Sequence, residues 1–66
     1  MTAAYFADAQ YEPPTLLRRS ETGDEAFRNG AWVPTKTIVD WEFGNNDFVD
    51  KVTEADARAL TPAAFI

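Results

Sequence analysis

The pattern of apolar and polar positions predicts short strands in the first half of the chain. Residues 15–34 read TLLRRSETGDEAFRNGAWVP, in which runs of strand-forming residues are separated by ETGD and by NG. Asn29-Gly30 is a strong hairpin signal, because a two-residue type I′ turn needs positive φ at both central positions. The register that follows places Phe27 opposite Trp32. We expect these two rings to be cross-strand neighbours on the core face of a small sheet.

The next stretch, residues 36–43 (KTIVDWEF), fits two interpretations. From Val39 to Phe43 apolar side chains alternate with carboxylates, which is the period of a half-buried strand. The alternative is a helix that begins after the preceding proline, with Thr35 as its N-cap. In that helix Glu42 would fall inside the apolar arc, so the pattern favours the strand.

The last third predicts one more strand and a helix. Residues 48–52 (FVDKV) indicate a short strand or extended segment. Thr53 is followed by EAD at residues 54–56, which is typical of a helix N-cap with carboxylates in the first turn. The helix is expected to continue through about Leu60, and Pro62 ends it.

These elements together predict an α+β fold. We expect a small antiparallel sheet built on a β-hairpin meander, one short C-terminal helix, and extended apolar arms at both ends. Residues 1–14 form the N-terminal arm in this interpretation, because Pro13-Pro14 forces an extended approach. Residues 15–60 form the small α+β domain, and residues 61–66 form an apolar C-terminal tail.

The two arms are the expected partner-binding segments. Their large apolar side chains precede the first predicted strand or follow the end of the helix, so the sheet pattern does not account for them. Aromatic side chains carry much of the binding energy in protein interfaces. The predicted partner-binding residues are Tyr5, Phe6, Tyr11, Phe65 and Ile66. The alternative is that an arm folds back over the domain's own sheet.

Composition limits what this chain can do alone. Its 66 residues make one domain at most, with a core that is marginal by itself. The absence of cysteine and histidine removes disulfides and nearly all transition-metal sites. We therefore expect no cofactor and no metal, and a partner protein as the source of extra stability. No apolar run matches a membrane span or a signal peptide, which predicts a cytoplasmic or virion protein that is not secreted by a cleaved signal.

Charge and residue types argue against nucleic-acid binding and against catalysis. The net charge of −5 opposes phosphate binding, and the only basic cluster contains Arg18, Arg19 and Arg28. Without histidine or cysteine, carboxylate pairs are the remaining candidates for acid–base chemistry, and we interpret them as solvated surface groups. The sequence therefore predicts no enzyme, no catalytic residue, and no nucleic-acid or membrane partner.

Two segments resemble parts of small proteins of actinobacteria and their phages. They are NGAWVP at residues 29–34 and VTEADARAL at residues 52–60, which cover under a third of the chain, and the resemblance implies no activity. We predict a non-enzymatic accessory or structural protein that docks on a larger assembly or forms a homo-oligomer, such as a phage virion decoration or minor structural protein. The alternative is a small acidic regulatory or inhibitory binding protein, of the phage anti-host or antitoxin-like kind.

Overall fold

A five-stranded antiparallel sheet with helices on both faces makes up the fold. The computed structural model describes residues 3–66. Its elements are β1 (Ala4–Asp8), β2 (Thr15–Ser20), β3 (Gly23–Arg28), β4 (Ala31–Pro34), α1 (Thr37–Glu42), β5 (Val49–Val52), α2 (Glu54–Leu60) and a 3₁₀ turn, Pro62–Phe65. The strands lie in the order β4-β3-β2-β1-β5. The predicted α+β class, with its hairpin sheet and short C-terminal helix, is confirmed.

The predicted hairpin joins β3 to β4. Asn29 and Gly30 have φ values of 53° and 81°, as a type I′ turn requires. Phe27 pairs with Trp32 across the two strands, which confirms the predicted register.

The two faces of the sheet bury different sets of side chains. Phe6, Leu17, Ala26 and Val49 lie on one face and form the main core with Ile38 of α1. We call this the α1 face. The opposite face is the α2 face, because α2 packs against β1 there and the ring of Phe65 contacts that of Tyr5.

The hairpin aromatics differ from the expectation in one respect. Ala26 and Val33 point to the α1 face, so their neighbours Phe27 and Trp32 point to the α2 face, away from the main core. Both rings are half-buried. The turn fixes which residues pair, but it does not fix which face of the sheet the paired side chains occupy.

Residues 37–42 form helix α1, so the predicted strand at 36–43 is wrong and the alternative helix is found. Its N-cap is Lys36 rather than Thr35, whose hydroxyl instead accepts a hydrogen bond from the Thr37 N–H at 3.2 Å. Glu42 does not enter the core, because its carboxylate is bound by Arg19 at 2.7 Å. The position of Glu42 among the apolar residues of the helix is therefore compatible with α1, because the ion pair satisfies its carboxylate.

The N-terminal segment also differs from the expectation of an arm. Residues 4–8 are strand β1, which pairs with β2 on one side and β5 on the other. Phe6 packs in the main core at 4 % exposure, with its ring 5.3 Å from that of Trp41. The sheet therefore crosses the predicted boundary between residues 1–14 and 15–60.

The C-terminal part follows the sequence closely. Thr53 caps α2 by accepting a hydrogen bond from the Asp56 N–H at 3.1 Å, and the helix ends at Leu60 as predicted. The 3₁₀ turn that follows carries Phe65 back onto Tyr5, with the ring centres 5.4 Å apart. This end of the chain folds over its own sheet, which is the alternative that the sequence left open.

Candidate functional site

Three large apolar side chains are exposed in α1 and in its connection to β5. Phe43 is 77 % exposed and Phe48 is 54 % exposed, and Val39 is also among the exposed large apolar residues. We call these three residues the α1–β5 surface. Its position is set by α1, which packs against β5.

Helix α1 presents apolar side chains in two directions. Ile38 is fully buried and Trp41 packs against the core, which fixes the inner side of the helix. Val39 and Phe43 are four positions apart and so lie one above the other on the outer side. The helix is thus anchored by one apolar pair and exposes another.

The backbone on both sides of the α1–β5 connection is well bonded. The Gly44 and Asn45 N–H groups donate to the carbonyls of Trp41 and Asp40 at 3.0 and 2.8 Å, which is the Schellman pattern. Gly44 has a φ of +78°, as that pattern requires.

The backbone around Phe48 is held in the same way. The Phe48 N–H donates to Asn46 Oδ1 at 2.8 Å, and its carbonyl accepts from the Ala9 N–H at 2.8 Å. The exposed ring therefore projects from a hydrogen-bonded backbone.

The predicted partner-binding residues do not form one surface. Phe6 is buried in the core, and Tyr5 and Phe65 are half-buried against each other. Tyr11 is exposed beside Arg28, whose guanidinium lies 5.1 Å from the ring centre, and Ile66 is fully exposed. Partner binding by these residues stays a prediction, with Phe6 the least accessible of the five.

Sequence reasoning missed Val39, Phe43 and Phe48 as candidate binding residues. The alternation had assigned Val39 and Phe43, together with Trp41, to the buried side of a strand. For Val39 and Phe43 the signal is the helical spacing, because Ile38 and Trp41 share one side of a helix while Val39 and Phe43 share another.

Two arginines of the basic cluster, Arg18 and Arg19, form ion pairs, and the third, Arg28, lies over the ring of Tyr11. Arg18 binds Glu25 at 2.6 Å and stacks 3.9 Å from the ring centre of Trp32, while its Nε is buried without a hydrogen-bond partner in the described part of the chain. Arg19 binds Asp24 at 2.8 Å as well as the Glu42 of α1.

Arg19, Asp24 and Glu42 form a cluster of one cation and two carboxylates, which we call the Arg19 cluster. The pKa values of its members follow from these bonds. The hydrogen bonds that Arg19 donates to Asp24, and then those that it donates to Glu42, raise the pKa of Arg19 further above its usual range. The hydrogen bond from Arg19 lowers the pKa of Asp24, and it also lowers the pKa of Glu42. The cluster ties α1 to the β2–β3 hairpin.

Three carboxylates near the α1–β5 surface make no ion pair within residues 3–66; they are those of Asp40, Asp47 and Asp50. All three residues are exposed. In the same range, no three acidic, histidine or cysteine side chains are grouped so that they could hold a metal ion.

Comparison of the chain with protein-family models, curated proteins and solved structures gives no significant match. Over residues 3–66, none of the helices has the length and apolar character needed to cross a membrane.

Proposed function

We propose that this protein is a non-enzymatic accessory protein that docks on a larger protein assembly. The observation that carries the proposal is the exposure of Phe43 and Phe48, at 77 % and 54 %, on a backbone that is hydrogen-bonded on both sides. Burial of apolar surface contributes about 25 cal/mol per Å², so two phenylalanine rings supply a few kcal/mol of binding free energy. A decoration or minor structural protein of a phage particle is an accessory protein of this kind.

The domain does not use these rings for its own folding. The main core is filled by residues of four strands together with Ile38, and Trp41 packs against it from the same helix. A large apolar side chain that contributes nothing to the core leaves apolar surface in water, and exposed apolar surface of this kind commonly marks interfaces. Docking accounts for Phe43 and Phe48 better than folding does.

The experiment is co-migration of the full chain with its assembly in extracts of the cells that make it. We expect the native chain to sediment with a large particle, and the double variant Phe43→Ser/Phe48→Ser to sediment at its own mass. Ile66→Ser is the matched control, since Ile66 is a fully exposed apolar residue outside the α1–β5 surface. A native chain that sediments alone would contradict the proposal, and loss of co-migration in the Ile66 variant would place binding in the C-terminal tail.

A second candidate function is an acidic regulatory binder, favoured by the carboxylates of Asp40, Asp47 and Asp50, which form no ion pair with any residue from 3 to 66. Such a protein would bind a basic cleft mainly by charge complementarity. Salt separates the two functions, because association driven by charge weakens steeply at high ionic strength, whereas apolar docking does not.

A further inference from the structure

We propose that the outer edge of β5 receives an extended segment of the partner chain as an added strand, with basic and apolar residues alternating along that segment. This inference rests on the proposed docking function and specifies how the partner is held. An added strand gains main-chain hydrogen bonds from the open edge and specificity from alternate side chains.

The backbone of β5 offers free hydrogen-bonding groups on its outer side. The Ala9 N–H donates to the Phe48 carbonyl, so Phe48 faces β1. Since bonding alternates along an antiparallel strand, Asp50 and Val52 also face β1. The N–H and C=O groups of Val49 and Lys51 therefore point away from the sheet, and β5 is its last strand in the described part of the chain.

The other edge of the sheet is less suited to pairing. Strand β4 leaves the type I′ turn with its first residue bonded to β3, so the outward groups belong to Trp32 and Pro34. Proline has no N–H, which leaves Trp32 as the one outward donor of β4. Proline at an edge strand is a common protection against strand pairing. Strand β5 has no proline and presents two outward donors.

Exposed large apolar side chains lie in the segment that leads into the open edge strand β5, whereas the protected strand β4 carries none of them. Helix α1 packs against β5 on the α1 face, and Phe43 and Phe48 lie in the segment that leads into the strand. Trp32 and Val33 of β4, in contrast, are half-buried. An apolar side chain of the added strand on the α1 face would therefore lie on the same side of the sheet as helix α1, which carries the exposed Phe43 at its C-terminal end.

Charge on the α2 face selects a basic residue there. Asp50 alternates with Val49, which is buried on the α1 face, so Asp50 lies on the α2 face. It is exposed and makes no ion pair among residues 3–66. Asp56 follows in the first turn of α2 and adds a second carboxylate close along the chain. A lysine or arginine opposite Asp50 gains a cross-strand charge pair.

A second copy of this chain is a poorer occupant. Two β5 edges related by a two-fold axis pair antiparallel, and registers centred on the middle of the strand place Asp50 or Lys51 opposite the same residue of the second copy. Like charges directly opposite each other are destabilising. A different chain with complementary charge avoids this repulsion.

The test uses the full chain and short synthetic peptides, observed by amide hydrogen exchange and NMR titration. We expect a peptide of alternating lysine and valine to slow exchange at the Val49 and Lys51 amides but not at Trp32. A peptide of alternating glutamate and valine is expected to bind about tenfold more weakly. Lys51→Pro removes an outward N–H that no residue of the described chain uses, and Lys51→Ala is the matched control that keeps it.

The two variants isolate the backbone contribution. We expect Lys51→Pro to bind the lysine–valine peptide about tenfold more weakly than Lys51→Ala, while both melt cooperatively. Equal binding by the two variants, or peptide protection at Trp32 instead of Val49, would overturn strand addition. If co-migration with the assembly survives Lys51→Pro but is lost in Phe43→Ser/Phe48→Ser, docking stands and strand addition is wrong; if the native chain never co-migrates, the docking function itself fails.

Discussion

The guanidinium of Arg18 stacks on the ring of Trp32, with 3.9 Å between the Arg18 Cζ and the ring centre. On the same face, the ring of Phe27 meets that of Trp32 edge-on, with 5.2 Å between centres and 66° between planes. Glu25 holds the arginine in place at 2.6 Å. The β3–β4 hairpin thus carries a half-buried aromatic layer on the α2 face, separate from the main core on the α1 face.

Replacement of Trp32 measures the contribution of this layer. We expect Trp32→Ala to lower the free energy of unfolding by about 1 to 3 kcal/mol, because a half-buried ring loses part of its apolar burial together with its contacts to Phe27 and Arg18. A fully buried tryptophan would cost about 3 to 5 kcal/mol. Urea unfolding gives the value, with Trp32→Phe as the control that keeps an aromatic ring. A loss above about 4 kcal/mol would show that the ring is part of the core.

The Arg19 cluster makes the free energy of unfolding depend on pH in the acidic range. The pKa values of Asp24 and Glu42 are lowered in the folded chain from their usual 3.8 and 4.5. Groups with lowered pKa contribute stability that is fully present above their unfolded values and is lost as pH falls through the folded values. We therefore expect the free energy of unfolding to decrease from about pH 5 downward.

Arg19→Met tests the origin of this decrease. Without the guanidinium the two carboxylates lose the cause of their lowered pKa, so the fall in stability below about pH 5 should become shallower. Arg58→Met is the matched control, since Arg58 binds Glu54 on the exposed side of α2 at 2.9 Å. Urea unfolding at a series of pH values measures both. An unchanged slope in Arg19→Met would contradict the assignment.

Residues 36–43 were predicted as a strand but form a helix, because a local sequence pattern does not show contacts between distant residues. Alternation along this stretch counted Val39, Trp41 and Phe43 as one buried side, but only Trp41 packs against the core. Glu42 argued against a helix because its partner, Arg19, lies 23 positions earlier in the chain. Local patterns cannot show a pairing that forms only after the sheet has brought distant residues together.

Strand β1 was missed for a related reason. Its α1 face carries Ala4, Phe6 and Asp8, so one large apolar residue stands between a small one and a charged one. Asp8 is nonetheless buried, and its Oδ1 accepts a hydrogen bond from the Gln10 N–H at 3.1 Å. The hairpin and the N-cap of α2, in contrast, depend on residues within a few positions of each other, and both were predicted from the sequence.

Gly44, just after the end of α1, has a backbone conformation that favours glycine. Its φ of +78° costs a residue with a Cβ about 1 kcal/mol. Apart from Gly44 and its two chain neighbours, no residue of the described chain has a heavy atom within 4 Å of the position that a Cβ would take. We expect Gly44→Ala to lower the free energy of unfolding by about 1 kcal/mol through backbone strain alone. Gly44→Asn should cost less, because asparagine tolerates this conformation better. Equal losses in the two variants, measured by thermal unfolding, would contradict the strain argument.

Removal of the N-terminal segment separates a strand from a docking arm. Strand β1 lies between β2 and β5, and Phe6 fills the main core, so a chain trimmed of residues 1–8 loses an inner strand. We expect this trimmed chain to lack a cooperative thermal transition and dispersed amide signals. Deletion of Ile66 is the control, because its side chain is fully exposed and its loss should leave the melting temperature unchanged. A trimmed chain that still unfolds cooperatively would show that the domain folds without residues 4–8. These residues would then again be a candidate docking arm.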